Sequence, residues 1–200
     1  MLVYLCHFAD MDDTVFVSSL NAIQKARMAS IAKLSRARQY LYSRVVYNAL
    51  FSQYTGKPFM EDLPKAQPHP SIEGKNGARF FTSLSHSGNH VALALSDKGK
   101  VAIDIEQILD RDYKALAPFA FSKEDCDRLA QTGYDREHFY RLWGFKECIH
   151  KLQTKHSLCY QEIISPCQGP DLMLSVLASE QELISTHQLN NPLNLEKFHD

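Results

Sequence analysis

Asp104, Glu106, Glu147 and Lys151 are the side chains of this 200-residue sequence best suited to do chemistry. Three carboxylates and an ammonium match a hard divalent cation that holds a phosphate chain. Oxygen ligands without paired histidines favour Mg²⁺ or Mn²⁺ over zinc. Two elements must bring them together. Val101-Ala102-Ile103-Asp104-Ile105-Glu106 is rich in β-branched residues and alternates in polarity, which predicts a strand. Val101, Ile103 and Ile105 then turn to a core, while Asp104 and Glu106 share the other face with Cα atoms about 6.5–7 Å apart. The spacing of Leu142, Phe145, Ile149 and Leu152 predicts a helix over 137–152 with an apolar stripe. Trp143, Glu147 and Lys151 follow one another at i, i+4, i+8, roughly opposite that stripe. If that line lies over the strand, three carboxylates converge on one point. The bland alternatives are an exposed Glu147–Lys151 ion pair and the wet face of an edge strand.

Composition sets the frame. A hydrophobic content of 44% over this length makes a soluble globular protein with one or two cores. No run approaches the ~18–20 apolar residues of a membrane span, so no membrane partner is expected. The start, Met1 to Phe8, lacks the basic front of a secretory signal and predicts a first strand. Five cysteines without a C-x-x-C pair indicate reduced thiols in a cytoplasmic protein. Net charge is only −1, yet no acid occurs from Thr14 through Met60, where Lys25, Arg27, Lys33, Arg36, Arg38, Arg44 and Lys57 stand. Such a face suits phosphates or an acidic protein. The overall pI of about 6.7 argues against nucleic acid.

Helical patterning runs from Ser18 to Lys33 and from Arg36 to Gln53, and Pro64, Pro68, Pro70, Gly74 and Gly77 mark 61–77 as a loop. Phe80-Phe81 and Val91–Leu95 predict strands, with Ser85-His86-Ser87-Gly88 as a tight connection between them. A helix over 122–131 follows, then weaker strands near 157–163 and 172–177, and a loose end after Asn190-Asn191-Pro192. Ser85, His86 and Ser87 offer the donors that an anionic phosphate needs, and Lys75 precedes them in a loop.

In this order, these residues resemble the 4′-phosphopantetheinyl transferase superfamily, in particular its pseudodimeric, surfactin-synthetase-activating type. Ser83-Leu84-Ser85-His86-Ser87 matches its first motif from the leucine onward, and Val101 to Glu106 its second, with Ala102 for glycine. Phe139 to Lys151 matches the third, Cys148 standing where a small residue is usual. Thr82-Ser83 replaces an aromatic–Asn pair, Asn76 replaces the proline after Gly74-Lys75, and Asn48 stands where a second basic residue is expected.

The resemblance implies transfer of the 4′-phosphopantetheine arm of coenzyme A to a serine of an apo acyl- or peptidyl-carrier protein, with release of adenosine 3′,5′-bisphosphate. It implies Asp104, Glu106 and Glu147 as Mg²⁺ ligands, and Glu147 and Lys151 as the catalytic pair. Arg36, Arg44, Lys75, Ser85, His86 and Lys146 become coenzyme A contacts, with Arg38 a further substitute near the 3′-phosphate. Trp143 is expected to pack rather than react. The implied fold is α+β: two similar lobes, 1–97 and 98–200, related by a pseudo-twofold axis, each a helix on a small mostly antiparallel sheet. The boundary falls near the turn at 96–100. The expected partner is an acidic carrier protein and the expected state a monomer. A metal-dependent nuclease or phosphatase, and a non-catalytic carrier-binding homologue, are the alternatives.

Overall fold

The computed structural model describes residues 1–63, 71–152, 159–163, 172–179 and 184–189. The chain runs β1 (Leu2–His7), α1 (Asp13–Val17), α2 (Ala22–Ala29), α3 (Leu34–Thr55), β2 (Ile72–Glu73), β3 (Arg79–Ser87), β4 (His90–Ser96), β5 (Val101–Gln107), α4 (Tyr113–Ala120), α5 (Lys123–Gln131), α6 (Arg136–Leu152), β6 (Cys159–Ile163), β7 (Leu172–Ala178) and β8 (Ser185–Leu189). These make one five-stranded sheet, β2-β3-β4-β1-β8, and one three-stranded sheet, β5-β7-β6. All pairings are antiparallel except β1 with β8. The mixed α+β class with small, mostly antiparallel sheets is therefore as expected.

Four layers follow from the alternation of side chains along the strands. Tyr4, Cys6, Leu84, Val91, Leu93 and Leu95 face α3 and bury Leu41, Val45 and Leu50 of that helix. On the other face, Val3, Leu5, Ala92 and Ala94 meet Val101, Ile103, Ile105, Leu174 and Val176 of the second sheet. The far side of the second sheet carries α6, where Ala102 and Leu177 pack on Cys148 and Leu152. At about 25 cal/mol per Å² of buried apolar surface, these sandwiched faces supply the main drive to fold.

Local chemistry explains the element ends. The expected helix over 18–33 shortens to α2, which Asn21 opens with a capping box to Gln24, and a separate α1, capped by Asp12 through Thr14 N (3.0 Å), precedes it. Each cap is worth about 1 kcal/mol, enough to restart a helix. Gly56, at φ 71°, ends α3 in the left-handed conformation that favours glycine. The eight-residue α4 was not predicted; Asp112 caps it, but Pro118 hides its pattern. No helix among the described residues is long and apolar enough to cross a membrane.

Two further expectations change. Ser83 to Ser87 belong to β3 itself, and the turn is only Gly88-Asn89, with Gly88 at φ 54°. β8, not foreseen in the tail, returns to the first sheet beside β1. The centre of the 61–77 loop at 64–70 and the tail from 190 lie outside the described residues.

Candidate active site

β3 and β5 meet where the two sheets touch, and serine side chains stitch them together. Ser83 Oγ accepts from Ile103 N (3.1 Å), and Ser85 Oγ donates to Asp104 Oδ1 (3.0 Å). Ser87 Oγ donates to Glu106 Oε2 (2.9 Å) and accepts from Gln107 N (3.0 Å). The Ser-x-Ser-x-Ser period of β3 thus runs in phase with the Asp-x-Glu period of β5. That shared period of two is the signal in the sequence for Ser87, which was noted there without a role at the carboxylates.

Helix α6 closes the other side. Lys151 Nζ donates to Asp104 Oδ1 (2.8 Å) and to the carbonyl of Ile103 (2.7 Å). Trp143 Nε1 donates to Glu106 Oε1 (3.0 Å). Trp143 therefore does more than pack: it touches a carboxylate directly. Asp104 is only 5% exposed, so the wet-face reading of this strand fails.

The apolar stripe of α6 is rotated from its expected place. Phe139, Tyr140, Gly144, Cys148 and Leu152 are buried, whereas Phe145 is 38% exposed. The reason is size. Gly144 approaches so closely that a Cβ there would lie 2.1 Å from Ser175 Oγ. Pattern reading by hydrophobicity passes over such a residue, yet this contact sets how near α6 comes to β5 and β7. Glycine inside a helix costs roughly 0.5–1 kcal/mol relative to alanine, a cost the close approach offsets.

Charge at the site is unevenly compensated. Burial, then repulsion from Asp104, raises the Glu106 carboxyl above its ordinary value, against the pull of Ser87, Trp143 and Lys151. Burial, followed by Arg36, Lys151 and Arg44, lowers His86 below the usual histidine range. Three cations thus act electrostatically on one imidazole. Burial raises the Cys148 thiol, which also senses Lys151, Asp104 and Glu147.

Ser85 and Lys151 hydrogen-bond Asp104, Trp143 hydrogen-bonds Glu106, and His86 feels the charges of Arg36 and Arg44. Glu147 is half-buried on α6, one turn from both Trp143 and Lys151. The convergence of three carboxylates on one point is not seen: among the described residues, no three His, Cys, Asp or Glu side chains gather closely enough to hold a metal. Lys151 and Trp143 occupy one oxygen each of Asp104 and Glu106 in this arrangement. Lys75 is exposed in the β2–β3 turn and lies over Gly56, about 18 Å along α3 from Arg44. Lys146 points to the carbonyl of Ala120 and over the Trp143 ring.

The acid-free stretch is less cationic than its composition suggests. Arg44 pairs with Asp62 and stacks on Tyr40. Arg38 is bound by both oxygens of Asp13 and by the carbonyl of Phe8, so it is a structural pin. Asn48 exchanges amide hydrogen bonds with Gln24.

The ACPS profile of the 4′-phosphopantetheinyl transferase superfamily matches residues 100–189, which span β5, α6 and β7. The chain is 34% identical over 174 residues to the 4′-phosphopantetheinyl transferase AcpT of Salmonella typhi, covering 80% of this chain and 87% of that relative. It is 42% identical over 101 residues to AcpT of Escherichia coli K12 (49% and 51% covered) and 29% identical over 120 residues to the transferase Sfp of Bacillus subtilis (60% and 46% covered). With the Asp-x-Glu strand and the tryptophan helix in contact, and a relative matched over nearly its whole length, this chain belongs to the 4′-phosphopantetheinyl transferase superfamily.

Proposed function

We propose that this chain moves the 4′-phosphopantetheine arm of coenzyme A onto a serine of an apo acyl- or peptidyl-carrier protein and releases adenosine 3′,5′-bisphosphate. The observation that carries the reading is Lys151, held on Asp104 from α6, with the charges of Arg36 and Arg44 acting on His86 next to Ser85. Acids and bases for a phosphate chain stand within one seam. The two sheets, backed by α3 and α6, support the surfactin-synthetase-activating type, with 1–97 and 98–200 as two lobes about a pseudo-twofold axis and β8 crossing back to the first sheet.

The donor set fits a divalent cation. Asp104 and Glu106 offer only oxygen, and burial followed by the neighbouring Asp104 charge raises the pKa of Glu106, a load that a cation would relieve. Asp104, Glu106 and Glu147 would hold Mg²⁺ or Mn²⁺. When bound, such an ion neutralises a diphosphate and orients its phosphorus. The protein's own residues do the rest. His86, Ser85, Arg36 and Arg44 grip the phosphates, with Lys75 and Lys146 at the outer parts of the cofactor. Glu147 takes the proton of the carrier serine as its oxygen bonds to the phosphorus bearing the pantetheine. The diphosphate bond at that phosphorus breaks, and Lys151 meets the charge that develops on the leaving phosphate. Lys25, Arg27, Lys33 and Arg36, exposed on the acid-free stretch, suit an acidic carrier. The enzyme is read as a cytoplasmic monomer.

Mixing the protein with coenzyme A, Mg²⁺ and a panel of apo carrier proteins tests this. Mass spectrometry is expected to show at least one carrier gaining the arm. A panel that stays unmodified, while a known transferase modifies it, overturns the proposal.

A further inference from the structure

The carboxylate pair of β5 is anchored at three of its four oxygens. Glu106 Oε1 accepts from Trp143, Glu106 Oε2 from Ser87, and Asp104 Oδ1 from Ser85 and Lys151. The fourth, Asp104 Oδ2, is buried without a hydrogen-bond partner among the described residues. A second orphan lies beside it. Ser175 Oγ is likewise buried and unpartnered, on a residue 1% exposed.

The two belong together. Asp104 and Ser175 are direct cross-strand partners of β5 and β7, so their side chains share the face under α6. A Cβ on Gly144 would lie 2.1 Å from Ser175 Oγ and 3.9 Å from Asp104 Oδ2, so both atoms border one small space beneath the helix. Their chemistry is complementary, a hydroxyl that must donate and an ionised oxygen that can only accept. Leaving both unpaired in a buried site is costly, and a rotation about the Ser175 Cα–Cβ bond that paired them would relieve both at once.

We infer that Ser175 is a positioning residue for Asp104, its hydroxyl donating to Oδ2 and holding that oxygen under α6 so that Oδ1 alone faces the cleft. The role matters once Lys151 turns to a phosphate. Asp104 Oδ1 then has at most Ser85, whose one hydroxyl hydrogen the phosphates also draw, and without a second anchor the carboxylate is free to swing. Groups that orient a ligand in this way typically govern 10–100-fold in metal affinity or activity. The inference rests on the reading of Asp104 as a cation ligand in the transferase site.

The test is Mn²⁺ binding to the full chain by electron paramagnetic resonance in reducing buffer, with thermal unfolding and steady-state kinetics alongside. Ser175→Ala removes a buried hydroxyl, so a residue that only packs would leave Mn²⁺ affinity and kcat unchanged. We expect a loss of roughly 10-fold in Mn²⁺ affinity, lower kcat with the KM for coenzyme A unchanged, and a lower unfolding temperature, because Asp104 Oδ2 is left buried without a donor. Ser175→Cys, which keeps the shape and a weak donor, is expected to fall between the two and serves if the alanine variant does not fold. Unchanged Mn²⁺ affinity in a folded variant overturns the inference. Absence of Mn²⁺ binding in the unsubstituted chain overturns instead the cation reading beneath it.

Discussion

Two aspartate–cation pairs hold opposite sides of this molecule, and they are built differently. Arg38 grips Asp13 with its Nε at 3.0 and 2.9 Å from the two oxygens and reaches the carbonyl of Phe8 at 2.9 Å. Tyr42 adds its hydroxyl to the same carboxylate (2.9 Å), so both oxygens of that carboxylate are occupied. The Lys151–Asp104 pair uses a compact ammonium on a flexible stem and leaves Asp104 Oδ2 unpartnered. A planar guanidinium fork suits a permanent joint, whereas an ammonium moves easily between acceptors. The first pair is a pin and the second is a contact that can be exchanged for a phosphate.

Substitutions at the two pairs separate activity from stability. Asp104→Ala and Glu147→Ala are each expected to lower carrier modification by about 100-fold or more while the far-ultraviolet circular dichroism stays that of the parent. Arg38→Ala should do the reverse, losing about 2 kcal/mol in urea titrations with the activity of the folded fraction retained. Equal losses of activity at Arg38 and Asp104 would erase the distinction. Lys151→Arg, which keeps the charge, should still lose at least about 10-fold in kcat, because the fork cannot make the same exchange. Full activity in that variant would refute the exchange.

Packing supplies a smaller effect. Gly144→Ala places a methyl 2.1 Å from Ser175 Oγ, and urea titration should show about 1–3 kcal/mol lost as α6 lifts from the sheet. The subtlest case is Glu106→Gln. The folded Glu106 holds its proton more tightly than its ordinary value of 4.5 implies, so its favourable contribution is present below that value and lost as pH rises through the folded value. At pH 7 the ionised group is a cost. Glu106→Gln should therefore raise the unfolding temperature at pH 7, while carrier modification falls and the gain disappears below pH 4.5. A lower unfolding temperature at pH 7 would show that the charge is already compensated.

The Asp104–Glu106 face and helix α6 were legible because period two and period 3.6 leave marks on composition. The rotation of α6 was not, since its closest contacts use Gly144 and Cys148, which a hydrophobic stripe does not register. The serines were visible as donors but read as a turn, because Gly88-Asn89 pulled the boundary back into β3. Neither Arg38–Asp13 nor Arg44–Asp62 could be paired without the fold, so the acid-free stretch read as more open charge than it is. Ser175 carries no local signal at all; only the register of β5 with β7 puts it beside Asp104.

The stitching of β3 to β5 also limits recombination. Because Ser83 answers the amide of Ile103, Ser85 the carboxylate of Asp104 and Ser87 that of Glu106, a shift of one position would take the serine hydroxyls off both carboxylates. Hybrids that join the front of one relative to the back of another will therefore assemble only when both parents keep that phase. Loop lengths at the junction around 97–100 must be conserved to the residue, even though nothing in that turn takes part in the chemistry.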